Sequence, residues 1–324
     1  MKKTFKIISW NILVVILLLS LLEAIVRIIF PEIQLSGLDR RILEPNVYST
    51  SVGLKKNSVG KSNGVLKQVG ENGFWEYTSK KKGTARKILI LGDSATMGIG
   101  VENDSTFVGL LNLNFKDDEF FNASLIGYSS QDYLNVVRSL IQLRENELGI
   151  TDVYIFWCLN DIYSNLPDLN SPETKNDYIQ IITDFLVRNS KLYHLLKNTL
   201  SDRPRAYFDY DKQFYFSENK QLEKSLLNIE QITELLDSTK TNIQLFLLPY
   251  EYQIRNYNDT NIFHPQRTFK QMLRASKLTV TDCSAAFNQS GLNSYQFYLY
   301  GDGIHFSKTG HRVLAKYIAK ALLK

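Results

Sequence analysis

The chain has 324 residues, enough for one large α/β domain with appendages or for two ordinary domains. Hydrophobic residues make up 44% of it and charged residues 22%, a balance that excludes wholesale disorder. Its 38 basic and 33 acidic side chains leave a net charge of only +5, spread along the chain, so the sequence indicates no nucleic-acid partner.

The first predicted element is an apolar N-terminal helix. Residues 7–22 carry no charge and follow Lys2, Lys3 and Lys6, and the apolar stretch continues to residue 30. This length matches the ~20 residues that a membrane-spanning helix needs. The pattern therefore predicts a short N-terminus (1–6) and a transmembrane signal anchor (7–30). A cleaved signal peptide or a buried helix are the alternatives, but no small-residue cleavage site follows the apolar core.

The charges around this helix bear on its orientation. The lysines before it favour a cytoplasmic N-terminus, whereas Arg27, Arg40 and Arg41 beyond it favour the opposite. Glu23 lies four residues before Arg27, so on a helix the two share a face and can pair near the interface. We expect a single-pass membrane protein whose remaining chain lies outside the cytoplasm, in the periplasm or at the cell surface.

Residues 31–85 are polar and broken by glycines, and no helical period survives there. This composition predicts a linker that ends in an extended or hairpin lead-in at about residues 73–83.

Strand-like apolar runs alternate with helical stretches from residue 86 to residue 324. The predicted strands cover residues 87–92, 120–125, 152–157, 243–248 and 277–282. The predicted helices cover residues 105–113, 131–147, 175–200, 221–238, 266–275 and 307–323. This alternation predicts one α/β domain with a parallel sheet covered on both faces by helices. The aromatic-rich segment 202–216 fits neither period and is typical of a packed loop or of a wall of a substrate groove.

Chemically active residues follow several of these strands. Ser94 ends the "GDS" that follows the first strand, Gly127 follows the second strand, and Asn160 follows the third. Asp302 and His305 lie three apart just before the last helix. Each has an ordinary structural interpretation as a cap, a turn residue, a loop residue or a buried histidine. In a parallel sheet, however, the carboxyl ends of the strands meet at one edge, where ligands bind.

Together these residues supply complementary chemical roles. A serine hydroxyl needs a base within hydrogen-bond reach and donors aimed at the oxyanion that forms when it attacks an acyl carbon. His305 is the available base for Ser94, and Asp302 could bind its other ring nitrogen and fix its tautomer. The backbone amides of Ser94 and Gly127 and the side-chain amide of Asn160 are the candidate oxyanion donors.

In this order, the "GDS", Gly127, Asn160 and Asp302-x-x-His305 blocks resemble the four sequence blocks of the SGNH/GDSL hydrolase family, over residues 87–324. The resemblance implies a three-layer α/β/α sandwich with a flavodoxin-like sheet and a site that needs no metal or organic cofactor. It also implies the same catalytic and oxyanion-hole roles as the chemistry above. Ala95 stands where related membrane-anchored, surface-glycan-associated sequences often carry a larger residue. The "GxSxG" of the α/β-hydrolases is absent.

The leading functional hypothesis is a serine esterase that removes a small acyl group, with acetyl the first candidate, from a cell-surface carbohydrate. An O-acyltransferase that moves acetyl onto a glycan hydroxyl, charged by a membrane-bound partner, would use the same site. A lipase, a thioesterase and a non-catalytic glycan-binding protein are further alternatives. Tyr128, Tyr163 and Tyr250 follow three of the strands and could stack against sugar rings, although each could equally be an ordinary half-buried aromatic.

Overall fold

The computed structural model describes residues 2–79, 85–164, 166, 178–273 and 278–323. Parts of the predicted lead-in, of the helices 175–200 and 266–275 and of the strand 277–282 lie outside these residues. The strands are β1 (Leu43–Pro45), β2 (Val52–Leu54), β3 (Ser58–Ser62), β4 (Val65–Val69), β5 (Arg86–Gly92), β6 (Asp118–Asn122), β7 (Asp152–Trp157), β8 (Asn242–Leu247) and β9 (Thr279–Asp282). The α-helices are α1 (Lys2–Ile29), α2 (Ser94–Met97), α3 (Phe107–Asn114), α4 (Ser130–Val137), α5 (Tyr178–Asn189), α6 (Lys191–Leu200), α7 (Arg203–Asp211), α8 (Lys220–Ser238), α9 (Glu251–Arg255), α10 (His264–Met272), α11 (Ser284–Asn288) and α12 (Lys308–Leu322).

The central feature is a five-stranded parallel sheet in the order β6-β5-β7-β8-β9. Numbered among themselves, these strands run 2-1-3-4-5, which is the flavodoxin-like order. Helices flank the sheet in two groups, with α3 packed against α12 and α4 packed against α8. The predicted three-layer α/β/α fold with a parallel, flavodoxin-like sheet is therefore confirmed.

The two central strands explain why this sheet forms. Full burial is shared by the central residues of β5, Ile88, Leu89, Ile90 and Leu91, and by every residue from 153 to 156 of β7. A strand covered on both faces reads as a continuous apolar run, because side chains on either side meet a helix layer. Both strands end at the edge where the candidate residues lie.

Two predicted helices and one segment predicted as a loop or groove wall differ from the structure. The predicted helix 131–147 is α4 followed by a π-helical stretch at Arg138–Leu143. The predicted helix 175–200 is two helices, because Ser190 between them accepts a hydrogen bond from the Tyr193 amide at 3.0 Å and so caps α6. The aromatic-rich segment 202–216 contains α7, which begins with Asp202 as its cap and Pro204 in its first turn.

The linker prediction for residues 31–85 is wrong for the part of that segment that the structure describes. β1 pairs with β2 and β3 pairs with β4, both antiparallel. Ile42 and Trp75 belong to the main core, and the Trp75 indole donates to the carbonyl oxygen of Ser124 at 2.8 Å. The β3–β4 hairpin buries Lys67 while exposing Leu66, so its burial does not follow the apolar pattern.

The helix α1 is long and apolar enough, over Lys3–Ile29, to cross a membrane by length and composition. Glu23 and Arg27 pair at 2.7 Å, as their spacing predicts. The Glu23 carboxylate also accepts hydrogen bonds from the N-terminus of α6, from the Ser190 hydroxyl at 2.8 Å and from the amides of Lys191 and Leu192 at 3.0 and 2.9 Å. The helix therefore packs directly on the α/β domain.

Candidate active site

The side chains of Ser94, His305 and Asp302 form a continuous hydrogen-bonded row. Ser94 Oγ lies 2.9 Å from Nε2 of His305, and Nδ1 of His305 lies 2.9 Å from both carboxylate oxygens of Asp302. A carboxylate can only accept, so Nδ1 carries a proton, and Nε2 of the neutral imidazole accepts from the serine hydroxyl. The structure thus brings together residues 211 positions apart in the geometry that proton transfer from serine to histidine requires.

The electrostatics of this row favour charge separation. Burial alone would raise the pKa of Asp302, but the neighbouring His305 and the backbone amides of His305 and Ile304 hold it at about 2. Burial alone would lower the pKa of His305, but the Asp302 carboxylate outweighs burial and raises it above its ordinary value. Asp302 is therefore ionised at neutral pH, and it stabilises the imidazolium that forms when His305 takes a proton.

Asp93 connects Ser94 to Asn160. Its Oδ1 accepts from the Ala95 amide at 2.9 Å, which caps the one-turn helix that begins at Ser94. Its Oδ2 lies 3.1 Å from Ser94 Oγ and accepts from Nδ2 of Asn160 at 2.9 Å. Asp93 is fully buried. No role was predicted for Asp93, although its position directly before Ser94 in "GDS" could have indicated one.

Gly127 lies in the buried turn that follows β6. Its φ of +78° falls in the left-handed region, which glycine adopts without strain. The turn is closed by the Tyr128 amide, which donates to the Leu125 carbonyl at 3.2 Å, and the Leu125 amide donates to the carbonyl of Gly92 at 3.3 Å. Because Gly92 ends β5 two residues before Ser94, this turn is held beside the nucleophile.

Asn160 is held by a buried network that sequence reasoning missed. Its Oδ1 lies 3.0 Å from the hydroxyl of Tyr250, and that hydroxyl lies 2.6 Å from Oδ2 of Asp211. Oδ1 of Asp211 accepts from the Tyr163 hydroxyl at 2.7 Å. Asp211 is the last residue of α7. The aromatic-rich segment 202–216 therefore supports Asn160 through Tyr250. No local pattern marks a carboxylate that acts through a tyrosine on another element.

This network also fixes the orientation of the Asn160 side chain. Burial raises the pKa of Asp211, although the hydrogen bonds from Tyr250 and Tyr163 act in the opposite direction. The Tyr250 hydroxyl lies within hydrogen-bond distance of two acceptor oxygens, Oδ2 of Asp211 and Oδ1 of Asn160, and so links the two side chains. The Asn160 side chain is then fixed with its NH₂ group toward Asp93. One of the two N–H bonds of that group remains for a ligand.

The predicted aromatic contacts need correction at two positions. Tyr128 is 2% exposed and donates to the carbonyl of Val52 at 3.0 Å, so it joins β2 to the core and cannot stack on a sugar. Tyr250 is fully buried and supports Asn160 instead. Tyr163 is half-buried, and of the three only its ring could touch a ligand.

The loop that carries Asp302 is packed tightly by α6 and α7. Gly301 and Gly303 flank Asp302 with φ of +62° and +89°. A Cβ at Gly301 would meet Asn198 of α6 at 2.2 Å, and one at Gly303 would meet the backbone of Pro204 in α7 at 2.6 Å. Only glycine fits this loop, because any other side chain would be both strained and displaced. The loop position therefore depends on α6 and α7.

No protein-family model matches the sequence, and the comparison with curated proteins finds no match. Among solved structures, TesA matches at a TM-score of 0.45 and 15% identity, covering 73% of this chain and 98% of its own. A catalytic mutant of the acetylxylan esterase Axe2 from Geobacillus stearothermophilus matches at 0.43 and 16%, covering 74% and 95%. The lipase/acylhydrolase from Enterococcus faecalis matches at 0.41 and 20%, covering 73% and 95%. At these TM-scores and identities, the matches add no argument to the geometry described above.

Proposed function

We propose that this protein is a serine ester hydrolase of the SGNH/GDSL type that acts through an acyl-enzyme. The observation that carries the proposal is the row from Ser94 through His305 to Asp302, with both contacts at 2.9 Å. A serine hydroxyl is a weak nucleophile at neutral pH, and a histidine oriented by a carboxylate is the arrangement that activates it.

In the first half of the reaction, Ser94 Oγ attacks the acyl carbon of the ester while its proton passes to Nε2 of His305. Asp302 stabilises the resulting imidazolium. The bond between the acyl carbon and the alcohol oxygen then breaks, and His305 returns the proton to that oxygen. In the second half, His305 takes a proton from water and the hydroxide attacks the acyl carbon on Ser94. The bond between that carbon and Ser94 Oγ breaks, His305 returns the proton to Oγ, and the acid leaves.

Three donors would hold the oxyanion that forms in each half. They are the backbone amides of Ser94 and Gly127 and the second N–H of the Asn160 side chain. Asn160 is already oriented in the free protein by Asp93 on one side and Tyr250 on the other. Donors fixed before the reaction stabilise developing charge without having to reorganise.

The proposed substrate is a carbohydrate ester with a small acyl group such as acetyl. A cavity of about 830 Å³ borders the Asp302 loop, and polar side chains including Asn198, Ser201 and Asn293 line it. Ser94 and His305 do not line it, so it would hold a part of the ligand away from the ester group. Hydrogen-bonding side chains suit a hydroxyl-rich ligand better than a long acyl chain.

We further propose that α1 is an uncleaved membrane anchor and that the catalytic domain lies outside the cytoplasm. The basic residues before the helix support this orientation.

An O-acyltransferase is the second candidate, and the junction between anchor and domain favours it. Gln34, five residues beyond α1, donates to the carbonyl of Gly100 at 2.8 Å in the segment after the nucleophile. The site is therefore held close to the anchor, where a membrane-bound partner could deliver acyl groups to Ser94. An acyl-enzyme is chemically indifferent to whether water or a sugar hydroxyl resolves it.

The deciding experiment uses the full chain in detergent micelles with p-nitrophenyl acetate, with and without an oligosaccharide acceptor. Released phenol and acetylated sugar are followed by absorbance and mass. Phenol release that yields only free acetate supports the esterase, whereas acetylated sugar supports the transferase.

Ser94→Ala is the matched control, since it removes one oxygen and leaves the fold intact. Turnover that persists in correctly folded Ser94→Ala protein would exclude the proposed mechanism.

A further inference from the structure

The helix α5 presents an apolar stripe to the outside of the molecule. Tyr178, Ile182 and Phe185 are 82%, 59% and 64% exposed, and Ile181 beside them is 51% exposed. Residues spaced by three, four and seven lie on one face of a helix. None of the α5 residues is buried. Four large apolar side chains on one exposed face mark an interaction surface rather than ordinary scatter.

The C-terminal end of α5, which follows this stripe, lies beside the C-terminal end of α1. The Arg27 guanidinium donates to the carbonyl of Asn189, the last residue of α5, at 2.7 Å. Glu23 caps α6, which starts two residues after α5 ends. The Ser36 amide, just beyond α1, donates to the carbonyl of Val187 at 3.3 Å. The C-terminal end of α5 is therefore held beside the end of α1 by one direct contact with α1, by the contact of α1 with the following helix α6, and by the segment after α1.

The length of α1 indicates how deep these contacts lie. About 20 helical residues cross the hydrocarbon core of a bilayer. A span that begins after Lys6 therefore ends near Val26, between Glu23 and Arg27. The contacts with α5 and α6 fall at that boundary, where lipid headgroups meet the acyl chains.

We propose that α5 lies in the membrane surface, with its apolar stripe inserted into the outer boundary of the bilayer that α1 spans. The proposal rests on α1 as a membrane anchor and does not depend on the reaction at Ser94. Helices of this kind bury their apolar face about 5–10 Å into the boundary between headgroups and acyl chains. The aromatic rings of Tyr178 and Phe185 suit that region, where aromatic residues are enriched.

Lipid is favoured over a protein occupant by continuity with the α1 contact. The surface ends where α1 leaves the hydrocarbon core, so the bilayer is already next to it. A soluble partner or a second copy of this chain would have to displace lipid headgroups to reach it. Two attachments, one spanning and one lying flat, would also prevent the domain from rotating about the axis of α1.

The test places a fluorescent, environment-sensitive label at single cysteines in the full chain, reconstituted into phosphatidylcholine and phosphatidylglycerol vesicles. The native Cys158 and Cys283 are buried and react poorly with the label. The test position is Ile182→Cys. Leu227→Cys is the matched control, since Leu227 is an exposed leucine, 49% accessible, on α8, which packs against α4. Leu18→Cys in α1 serves as the reference within the bilayer.

Quenching is measured with lipids that carry a nitroxide high on the acyl chain. We expect a blue-shifted emission and several-fold stronger quenching at position 182 than at 227. Quenching at 18 but not at 182 would overturn the proposal and leave the anchor intact. A blue shift at 182 without quenching would also overturn it, because the stripe would then be covered by protein. Absence of quenching at positions 18 and 182 would exclude both the membrane anchor and the insertion of α5 into the membrane surface.

Discussion

The ammonium group of Lys67 lies 2.9 Å from the carbonyl oxygen of Met97, in the turn that follows the nucleophile. It also donates to the carbonyl of Val101 at 3.0 Å and lies 5.1 Å from the ring of Trp75. Lys67 is 1% exposed, and burial lowers its pKa to about 7, with the charge of Glu102 opposing the shift. A buried lysine on the β3–β4 hairpin thus connects that hairpin to the turn after Ser94.

We expect the stability contributed by Lys67 to depend on pH. Between about pH 7 and the ordinary lysine pKa of about 10.4, the unfolded chain binds a proton that the folded chain lacks, so folding stability rises with pH. Lys67→Met removes this titration. The difference between wild type and Lys67→Met in thermal unfolding in detergent should therefore move in favour of the wild type from pH 7 to pH 10. A constant difference across that range would contradict the lowered pKa.

Removal of the Tyr250 hydroxyl should slow catalysis by loosening Asn160. One hydrogen bond contributes about 0.5–1.5 kcal/mol, so Tyr250→Phe should lower kcat by roughly two- to tenfold while KM changes little. Tyr163→Phe is the control, because its hydroxyl binds Asp211 but not Asn160. It should cost less than Tyr250→Phe. Equal losses in the two variants would mean that Asp211, rather than the orientation of Asn160, matters.

The Asn160 side chain should contribute mainly to the transition state. Asn160→Ala should lower kcat by about 10²–10³-fold, the usual effect of losing one oxyanion donor. KM should change little, since the donor binds charge that develops only during the reaction. Steady-state kinetics with p-nitrophenyl acetate measure both constants. An unchanged kcat would remove Asn160 from the oxyanion hole.

Activity should fall at acid pH with the titration of His305. The base must be neutral to accept the serine proton, and Asp302 raises the pKa of His305. The acid limb of kcat/KM should therefore lie above the ordinary histidine value of about 6.5. Titration of His305 by NMR in Ser94→Ala protein checks the assignment. The pKa should fall when Asp302→Asn is added, and an unchanged value would show that Asp302 does not set it.

The sheet and the meeting of Ser94, His305 and Asp302 could be predicted because their signals are local. β7 matches its predicted bounds of 152–157, since each of its residues is buried and the apolar run is unbroken. Parallel strands bring their carboxyl ends to one edge, so residues after separate strands could be expected to meet. Ser94 and Asn160 follow from that rule alone. Asp302 and His305 could be predicted from their three-residue spacing just before the last helix.

The remaining structure depends on contacts between distant segments. In the β3–β4 hairpin, Val59 and Leu66 point outward while Ser62 and Lys67 are buried, so an alternating apolar pattern would indicate the wrong face. The contact between Asp211 and Tyr250 joins residues 39 positions apart, and neither belongs to a motif. A buried polar group whose hydrogen-bond partner lies on another element produces no periodic pattern in the sequence, so it cannot be predicted from periodicity.

The position of α6 sets the distance between the Asp302 loop and the end of α1. Its first turn is capped by Glu23 of α1, and near its other end Asn198 packs against Gly301 in the catalytic loop. A helix of 10 residues is about 15 Å long, so it acts as a rigid spacer between the two. With α1 in a bilayer, the Asp302 loop is held within roughly that distance of the membrane surface. For the carbohydrate ester proposed above, this distance would admit esters close to the membrane and exclude those on chains that extend far beyond it.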